Sequence, residues 1–240
     1  MAKWAGCLIQ REARVDSTNA RARAWARQGA PHGAVIVAGE QTAGRGRRGR
    51  GWSSGAGMGL WLSMVARPKA EPGAVPKLVF AAALATADAC RAVSGLEVQI
   101  KWPNDILFNG CKIAGILLEK EGDAAVIGIG INVRHREEDF PPELQGMAAS
   151  LEMMAHKPIS LEVLEIALLD ELERRIDGWD FMPEYAARCA TIGQAVRVVE
   201  ADREYAGFAE GLDALGALLV RDGEGALRRV LAGDVTRANA

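Results

Sequence analysis

Short apolar runs separated by polar turns dominate the first part of the chain. Ala34-Val35-Ile36-Val37-Ala38 and Gly59-Leu60-Trp61-Leu62-Ser63-Met64-Val65 read as two strands flanking a polar segment. Asn109-Gly110 between runs over 98–108 and 111–119 is a strong hairpin signal, and Glu121-Gly122-Asp123 leads to a third run over 125–133. These three runs are expected to form an antiparallel meander. The opening segment through Val15 reads as a short strand or lead-in. Asp16-Ser17-Thr18-Asn19 is a capping cluster for an Ala/Arg-rich helix ending near Gln28, before Gly29 and Pro31.

Helical spacing takes over elsewhere. Pro72 and Pro76 introduce a helix over 77–93 that is apolar on most faces and so expected to be well buried. The charged stretch 134–142 contains Pro141 and Pro142 and reads as a loop. Leu161, Leu164, Leu168, Leu172 and Ile176 mark one face of a helix over 161–179, and a shorter helix covers 183–190. After Gly193 the texture changes to short alternating strands over 195–199, 204–212, 217–221 and 227–232. The pattern predicts an α+β domain over 1–190 joined directly to a small β-barrel module over 191–240. Trp25, Trp61 and Trp179 are expected to be packing residues.

Composition narrows the function classes. A chain of 240 residues that is 49% hydrophobic can bury a full core, and its net charge of −2 leaves no global basic field. The longest apolar run, around 78–85, is far short of a membrane span, and the amino-terminal stretch is too short in apolar residues for a signal peptide. Cys7, Cys90, Cys111 and Cys189 are widely spaced, which suits free thiols in a reducing cytosol. His32, His135 and His156 lack metal-site spacing, so a zinc centre is not expected.

The densest chemistry is Gln41-Thr42-Ala43-Gly44-Arg45-Gly46-Arg47-Arg48-Gly49-Arg50-Gly51-Trp52, with four arginines and four glycines between positions 44 and 51. Glycine lets backbone N–H groups converge on an anion, and arginine adds forked donors matched to phosphate and carboxylate. With little apolar surface to hold it, the segment is expected to be mobile until an anion fills it, as a lid would be. The competing reading is a nucleic-acid-binding loop. Lys101, Asn104 and Asp105 bracket Trp102-Pro103, which is expected to be extended, and Lys112 follows on the next strand. Two cations, an amide and a carboxylate on paired strands suit a nucleotide-phosphate and Mg²⁺ site. Gly128-Ile129-Gly130 superficially suggests a dinucleotide fingerprint, but Val133 fills the third glycine position and no helix follows. Those glycines instead permit strand packing or close backbone approach to a planar ligand.

These blocks together resemble the biotin protein ligases: Asp16 to Asn19, Gln41 to Trp52, Lys101-Trp102-Pro103-Asn104-Asp105, Lys112-Ile113-Ala114-Gly115-Ile116-Leu117, and Gly128-Ile129-Gly130-Ile131-Asn132. The resemblance implies a class II synthetase-like catalytic domain, with a mixed, largely antiparallel sheet and flanking helices, plus an SH3-like C-terminal barrel. It also implies an ATP-dependent reaction that forms biotinyl-5′-AMP and transfers biotin to a lysine of a carboxyl carrier protein.

By resemblance, Ser17, Thr18, Asn19 and Gln41 would read the biotin ring, and Arg45, Gly46 and Arg47 would wrap the carboxylate and adenylate. Trp52 would cover the valeryl chain, Gly115 would admit the ligand, and Lys112 would act with Arg45 and Arg47 in catalysis. Arg48, Lys101, Asn104, Asp105, Gly128 and Asn132 would contact ATP, with Asp105 and Asn132 as Mg²⁺ ligands. Only fifteen residues precede Asp16, too few for a helix-turn-helix, so the resemblance is to the short form without DNA binding. Gly59, where some relatives carry asparagine, is expected to be tolerated. A cytoplasmic monomer or homodimer is expected, the exposed edge of the meander being compatible with either. The nearest alternative is a lipoate–protein ligase of the same superfamily.

Overall fold

The computed structural model describes residues 4–68, 72–176, 178 and 181–238. Seven strands form one sheet: β1 (Leu8–Glu12), β2 (Ala34–Ala38), β3 (Gly59–Ala66), β4 (Gln99–Lys101), β5 (Asp105–Phe108), β6 (Cys111–Glu121) and β7 (Ala124–Asn132). Their spatial order is β1-β2-β3-β7-β6-β5-β4. Only β1 and β2 run parallel; every other neighbouring pair is antiparallel, so the sheet is mixed.

The helices cover the sheet unequally. α2 (Leu78–Ser94) and α4 (Leu161–Ile176) lie on the face carrying Leu62, Met64, Ile127 and Ile129, and form the main core. α1 (Thr18–Arg27) covers part of the opposite face, where Ala22 and Ala26 pack on Ile36, Val65 and Val126. Strand β3 is buried along its whole length, which is why it reads as an unbroken apolar run. Short helices α3 (Leu151–Ala155) and α5 (Met182–Arg188) complete the domain. Trp61 is fully buried, whereas positions 177 and 179 of the helix predicted over 161–179, Trp179 among them, lie outside the described residues.

Two expectations need correction. The run over 98–108 is not one extended strand: β4 and β5 fold back on each other, with Lys101 opposite Asp105, around Trp102-Pro103. Tyr185 donates to the Pro103 carbonyl (3.1 Å) and Thr191 accepts from the Trp102 backbone N–H (3.0 Å), so tertiary contacts hold the turn. The outer edge of the meander is also not open, because Ala190 N–H donates to the Ile100 carbonyl at 2.8 Å.

The tail forms a separate antiparallel sheet of β8 (Ala195–Val199), β9 (Glu204–Leu212), β10 (Leu218–Asp222), β11 (Leu227–Val230) and β12 (Asp234–Arg237), in the order β11-β10-β9-β8-β12. Its apolar face, including Val196, Val198, Leu218 and Val220, belongs to the same core as the large sheet. Trp102 Nε1 donates to the Gly216 carbonyl (2.9 Å), tying the two sheets at the β4–β5 turn.

Asp88 on α2 anchors an ion cluster behind the sheet. It accepts from Arg188 at 2.8 Å and from Arg175, which also donates to Glu184 at 2.8 Å. Burial alone would raise the Asp88 carboxyl, but the Arg188 and Arg175 guanidinium groups hold it below the ordinary aspartate value. Replacing Asp88 with Asn should cost about 1–2 kcal/mol at pH 7, because it removes charge-assisted hydrogen bonds from Arg175 and Arg188 while Glu184 still faces Arg175. The folded state binds this proton less tightly than the unfolded state, so the contribution is complete above about pH 5 and fades as pH falls through the folded-state value. The difference between urea melts of parent and Asp88→Asn should therefore narrow as pH falls below the ordinary aspartate range; a difference that stays constant or widens on acidification would contradict the assignment.

Candidate active site

Two-residue periodicity builds the floor of the site. Gly128, Gly130 and Asn132 of β7 face the side of the sheet that α1 covers, while Ile127, Ile129 and Ile131 enter the core. A β-carbon at Gly128 would stand 2.0 Å from Asn19 Oδ1, and one at Gly130 would stand 2.5 Å from Trp52 Nε1. At Gly115 of β6 it would meet Trp52 Cζ3 at 3.0 Å and Lys112 Cε at 3.1 Å. Absent side chains thus let the helix amide and the indole lie directly on the strand backbones. Above this floor is a cavity of about 750 Å³.

A bulge aims Lys112. Ile106 and Leu107 of β5 pair with Ala114 and Lys112, leaving Ile113 as the extra residue of β6. In a regular strand Lys112 would share the core face with Ala114; the bulge turns it to the side of Gly115 and Asp105 instead. Its Nζ stands 2.7 Å from Asp105 Oδ1 and 5.2 Å from the Trp52 ring centroid.

The Arg/Gly segment is held over the cavity by its own backbone. Trp52 N–H donates to Gly44 O (2.9 Å), Gly46 N–H to Arg50 O (2.7 Å) and Gln41 N–H to Ser54 O (3.1 Å). Arg48 and Gly49 turn the tip in the left-handed region, at φ 57° and 75°. The four guanidinium groups divide. Arg45 pairs with Glu119 (3.0 Å) and Arg47 donates to Asn104 Oδ1 (2.8 Å), both beneath the lid. Arg50 pairs with Asp234 (2.8 Å), and Arg48 donates to Val199 O (3.1 Å) on the C-terminal sheet. Burial pulls the Arg47 guanidinium below the usual arginine value, opposed by the field of Asp105. All four guanidinium groups are engaged within the chain, which disfavours a loop that tracks a nucleic-acid backbone.

One end of the cavity is a neutral polar corner. Gln41 Oε1 accepts from the Thr18 backbone N–H (2.8 Å) and hydroxyl (3.0 Å), while Gln41 Nε2 donates to Ser54 (2.8 Å). Ser63 donates to Asn19 Oδ1 at 2.6 Å. Ser17, whose hydroxyl caps α1, lines the same corner. The other end carries Lys101 together with Gln194, Thr236 and Arg237 from the C-terminal sheet. Among the described residues no group of three or more His, Cys, Asp or Glu stands together as a metal site, and no helix is long and apolar enough to cross a membrane. Cys7, Cys90, Cys111 and Cys189 are free thiols.

Comparison with known proteins fixes the relationship. The model of the biotin/lipoate A/B protein ligase family matches residues 12–134, just over half of the chain, and that of the biotin protein ligase C-terminal domain matches residues 191–236. The chain belongs to the biotin/lipoate A/B protein ligase family. It is 38% identical over 234 residues to a biotin–[acetyl-CoA-carboxylase] ligase of Mycobacterium tuberculosis, covering 93% of this chain and 86% of the relative. A ligase of the same description from Paracoccus denitrificans is 37% identical over 232 residues, covering 87% and 92%. The structure of the Aquifex aeolicus biotin protein ligase in complex with biotin and ATP superimposes with a TM-score of 0.86 at 27% identity, covering 97% of this chain and 100% of the other. The mixed sheet with flanking helices and the SH3-like C-terminal sheet are this family's fold.

Placed on that fold, Ser17, Thr18, Asn19, Gln41, Arg45, Gly46, Arg47, Trp52, Lys101, Asn104, Asp105, Lys112, Gly115, Gly128 and Asn132 all line the one cavity. Arg48 does not; its head lies outside, against Val199 and Asp234. Asn104 turns its oxygen to Arg47 and its Nδ2 to the Ile116 carbonyl (2.9 Å), so it anchors the lid. Gly59 has its own constraint: a β-carbon would approach the Ile131 carbonyl to 2.3 Å. Sequence reasoning missed Ser63 and Glu119. The signal for Ser63 was available, since it is the one hydroxyl in the apolar run of β3; a glutamate near a strand end gives none.

Proposed function

We propose that this chain is an ATP-dependent biotin protein ligase in which the neutral corner, the lid and Lys112 act in sequence on one bound molecule. The observation that carries the reading is the single cavity joining an uncharged hydrogen-bonding corner to a cationic centre across Trp52. Biotin has that polarity: a ureido ring, an apolar chain and a carboxylate. Ser17, Thr18 and Gln41 supply paired neutral donors and acceptors for the ring. Asn19 holds the ring wall in place, and Trp52, seated on Gly115 and Gly130, would form one wall of the slot for the chain.

In the first step a biotin carboxylate oxygen attacks the α-phosphorus of ATP, the bond to the bridging oxygen of pyrophosphate breaks, and biotinyl-5′-AMP forms. Lys112 and Arg47 lie where negative charge accumulates during that displacement, and fixed cations in a site shielded from water lower its barrier. Phe140, Leu144 and Met147 offer apolar faces for the adenine, and Lys101 and Arg237 suit the outgoing phosphates. Among the described residues Asp105 is the only carboxylate lining the cavity, and Asn132 donates its Nδ2 to Ala149 O. Asp105 pairs with Gly115 and Gly115 with Gly130, so Asp105 and Asn132 stand two strands apart and would not share one Mg²⁺; Asp105 alone would meet an ion that arrives with the nucleotide's phosphates and neutralises their charge. In the second step a lysine amine of a carboxyl carrier protein attacks the acyl carbon, the C–N bond forms, and AMP leaves. No covalent enzyme intermediate is required. Residues 1–190 would form the catalytic unit and 191–240 the module that closes the nucleotide end, in a cytoplasmic monomer or homodimer.

An acyl adenylate hydrolyses in water, so the lid must also retain it. Arg47→Gly removes the bond to Asn104 and should shorten the residence of bound biotinyl-5′-AMP at least tenfold while leaving its formation measurable. Equal residence times by rapid gel filtration would count against the lid. The whole reading is tested by incubating the chain with MgATP, biotin and a biotin-accepting carrier domain. ATP-dependent label on the carrier lysine is expected, with none from lipoate; lipoate transfer without biotin transfer would move the chain to the other branch of its family.

A further inference from the structure

Glu119, outside the reacting centre, touches both the ring corner and the lid. Its Oε2 accepts from Asn19 Nδ2 at 2.8 Å and from Arg45 Nη2 at 3.0 Å, while Oε1 stands 3.3 Å from Arg23 Nη1. Its side chain is 21% exposed. Asn19 has little freedom to turn. Its Oδ1 accepts from Ser63 at 2.6 Å and would stand 2.0 Å from a β-carbon at Gly128, so the amide lies flat on β7. Ser63, Asn19, Glu119 and Arg45 therefore form one chain of hydrogen bonds running from the sheet floor to the first arginine of the lid.

Resting on the ligase reading above, we propose that Glu119 is a positioning residue that transmits occupancy of the ring corner to the lid, aiming Arg45 before the substrate carboxylate is engaged. A ring seated against Asn19 removes what freedom its amide retains, the amide in turn holds Glu119, and the carboxylate holds the guanidinium. The negative charge is essential to this role. The carboxylate accepts from three donors, Asn19, Arg45 and Arg23, whereas an amide in its place must turn its NH₂ group either against Arg23 or against Asn19 and Arg45. The fold does not depend on it, because the neighbouring Glu121 independently holds α1 through Arg23 (2.8 Å) and Arg27 (2.9 Å).

Trypsin reads the lid directly, since its cleavage sites include Arg45, Arg47, Arg48 and Arg50. The probe is biotinol, which carries the ring and chain but no carboxylate to hold the arginines. Saturating biotinol should slow cleavage within the lid at least fivefold in the parent and less than twofold in Glu119→Gln, with calorimetry showing that both bind it. Protection of Glu119→Gln equal to that of the parent, or no protection of a parent that binds biotinol, would overturn the inference and leave the ligase reading standing. Failure of the parent to bind either biotinol or biotin would overturn the ligase reading itself. Should Glu119→Gln unfold, Arg45→Gln breaks the same link at its other end, keeps the remaining cleavage sites, and has the same two outcomes.

Discussion

Lys112→Ala should slow single-turnover formation of biotinyl-5′-AMP by about 10²- to 10³-fold, the usual cost of removing one fixed group that stabilises transition-state charge. Biotin affinity should fall much less, because the ground-state carboxylate can still meet Arg45 and Arg47. Stability should change by less than about 1 kcal/mol, since the Lys112–Asp105 pair is partly solvated, at 33% and 21% exposure. A lysine serving only to neutralise Asp105 would show the reverse pattern, a lower melting temperature with adenylation nearly intact. Quenched-flow measurement of the adenylate separates the two, and a rate within threefold of the parent would exclude Lys112 from the chemistry.

Gly130→Ala should weaken biotin binding about 50- to 100-fold with little loss of fold. The added methyl would meet Trp52 Nε1 at 2.5 Å and Cε2 at 2.6 Å, and the indole can yield because it is carried on the lid. Lifting it uncovers the slot for the apolar chain, and losing a buried contact of that size is worth about 2–3 kcal/mol. Gly128→Ala provides the contrast. Its methyl meets an amide tied to Ser63 and Glu119 at the start of α1, so both binding and melting temperature should drop. Calorimetric titration with biotin beside thermal melts distinguishes the two. Wild-type affinity in Gly130→Ala would mean that Trp52 does not cover the ligand.

Much of this arrangement is written in local patterns. The two-residue alternation of Gly128, Gly130 and Asn132 with isoleucines already separates a ligand face from a core face, and Asn109-Gly110 announces the hairpin that carries Lys112. What escaped depends on contacts distant in sequence. Trp102-Pro103 folds back because Tyr185, Thr191 and Gly216 hold it. The Ile113 bulge reverses the face of Lys112 without any local sequence mark, and period alone would have sent that side chain into the core. Short elements α3 and β12 carry too few residues for a periodic signal, yet β12 brings Asp234 to the lid and Arg237 to the cavity. The lid was legible in composition but its polarity was not: Arg45 and Arg47 turn inward while Arg48 and Arg50 turn to the C-terminal sheet, a division set by the left-handed Arg48–Gly49 turn.

The central claim is that one cavity makes a biotinyl adenylate and keeps it until a carrier lysine arrives. It is tested most directly by mixing the chain with Mg²⁺, biotin and ATP labelled at the α-phosphate, then passing the mixture rapidly through a desalting column. The account predicts close to one equivalent of non-covalent label eluting with the protein and released as AMP when carrier domain is added. Protein eluting without label, or with label bonded covalently to the chain, would contradict it.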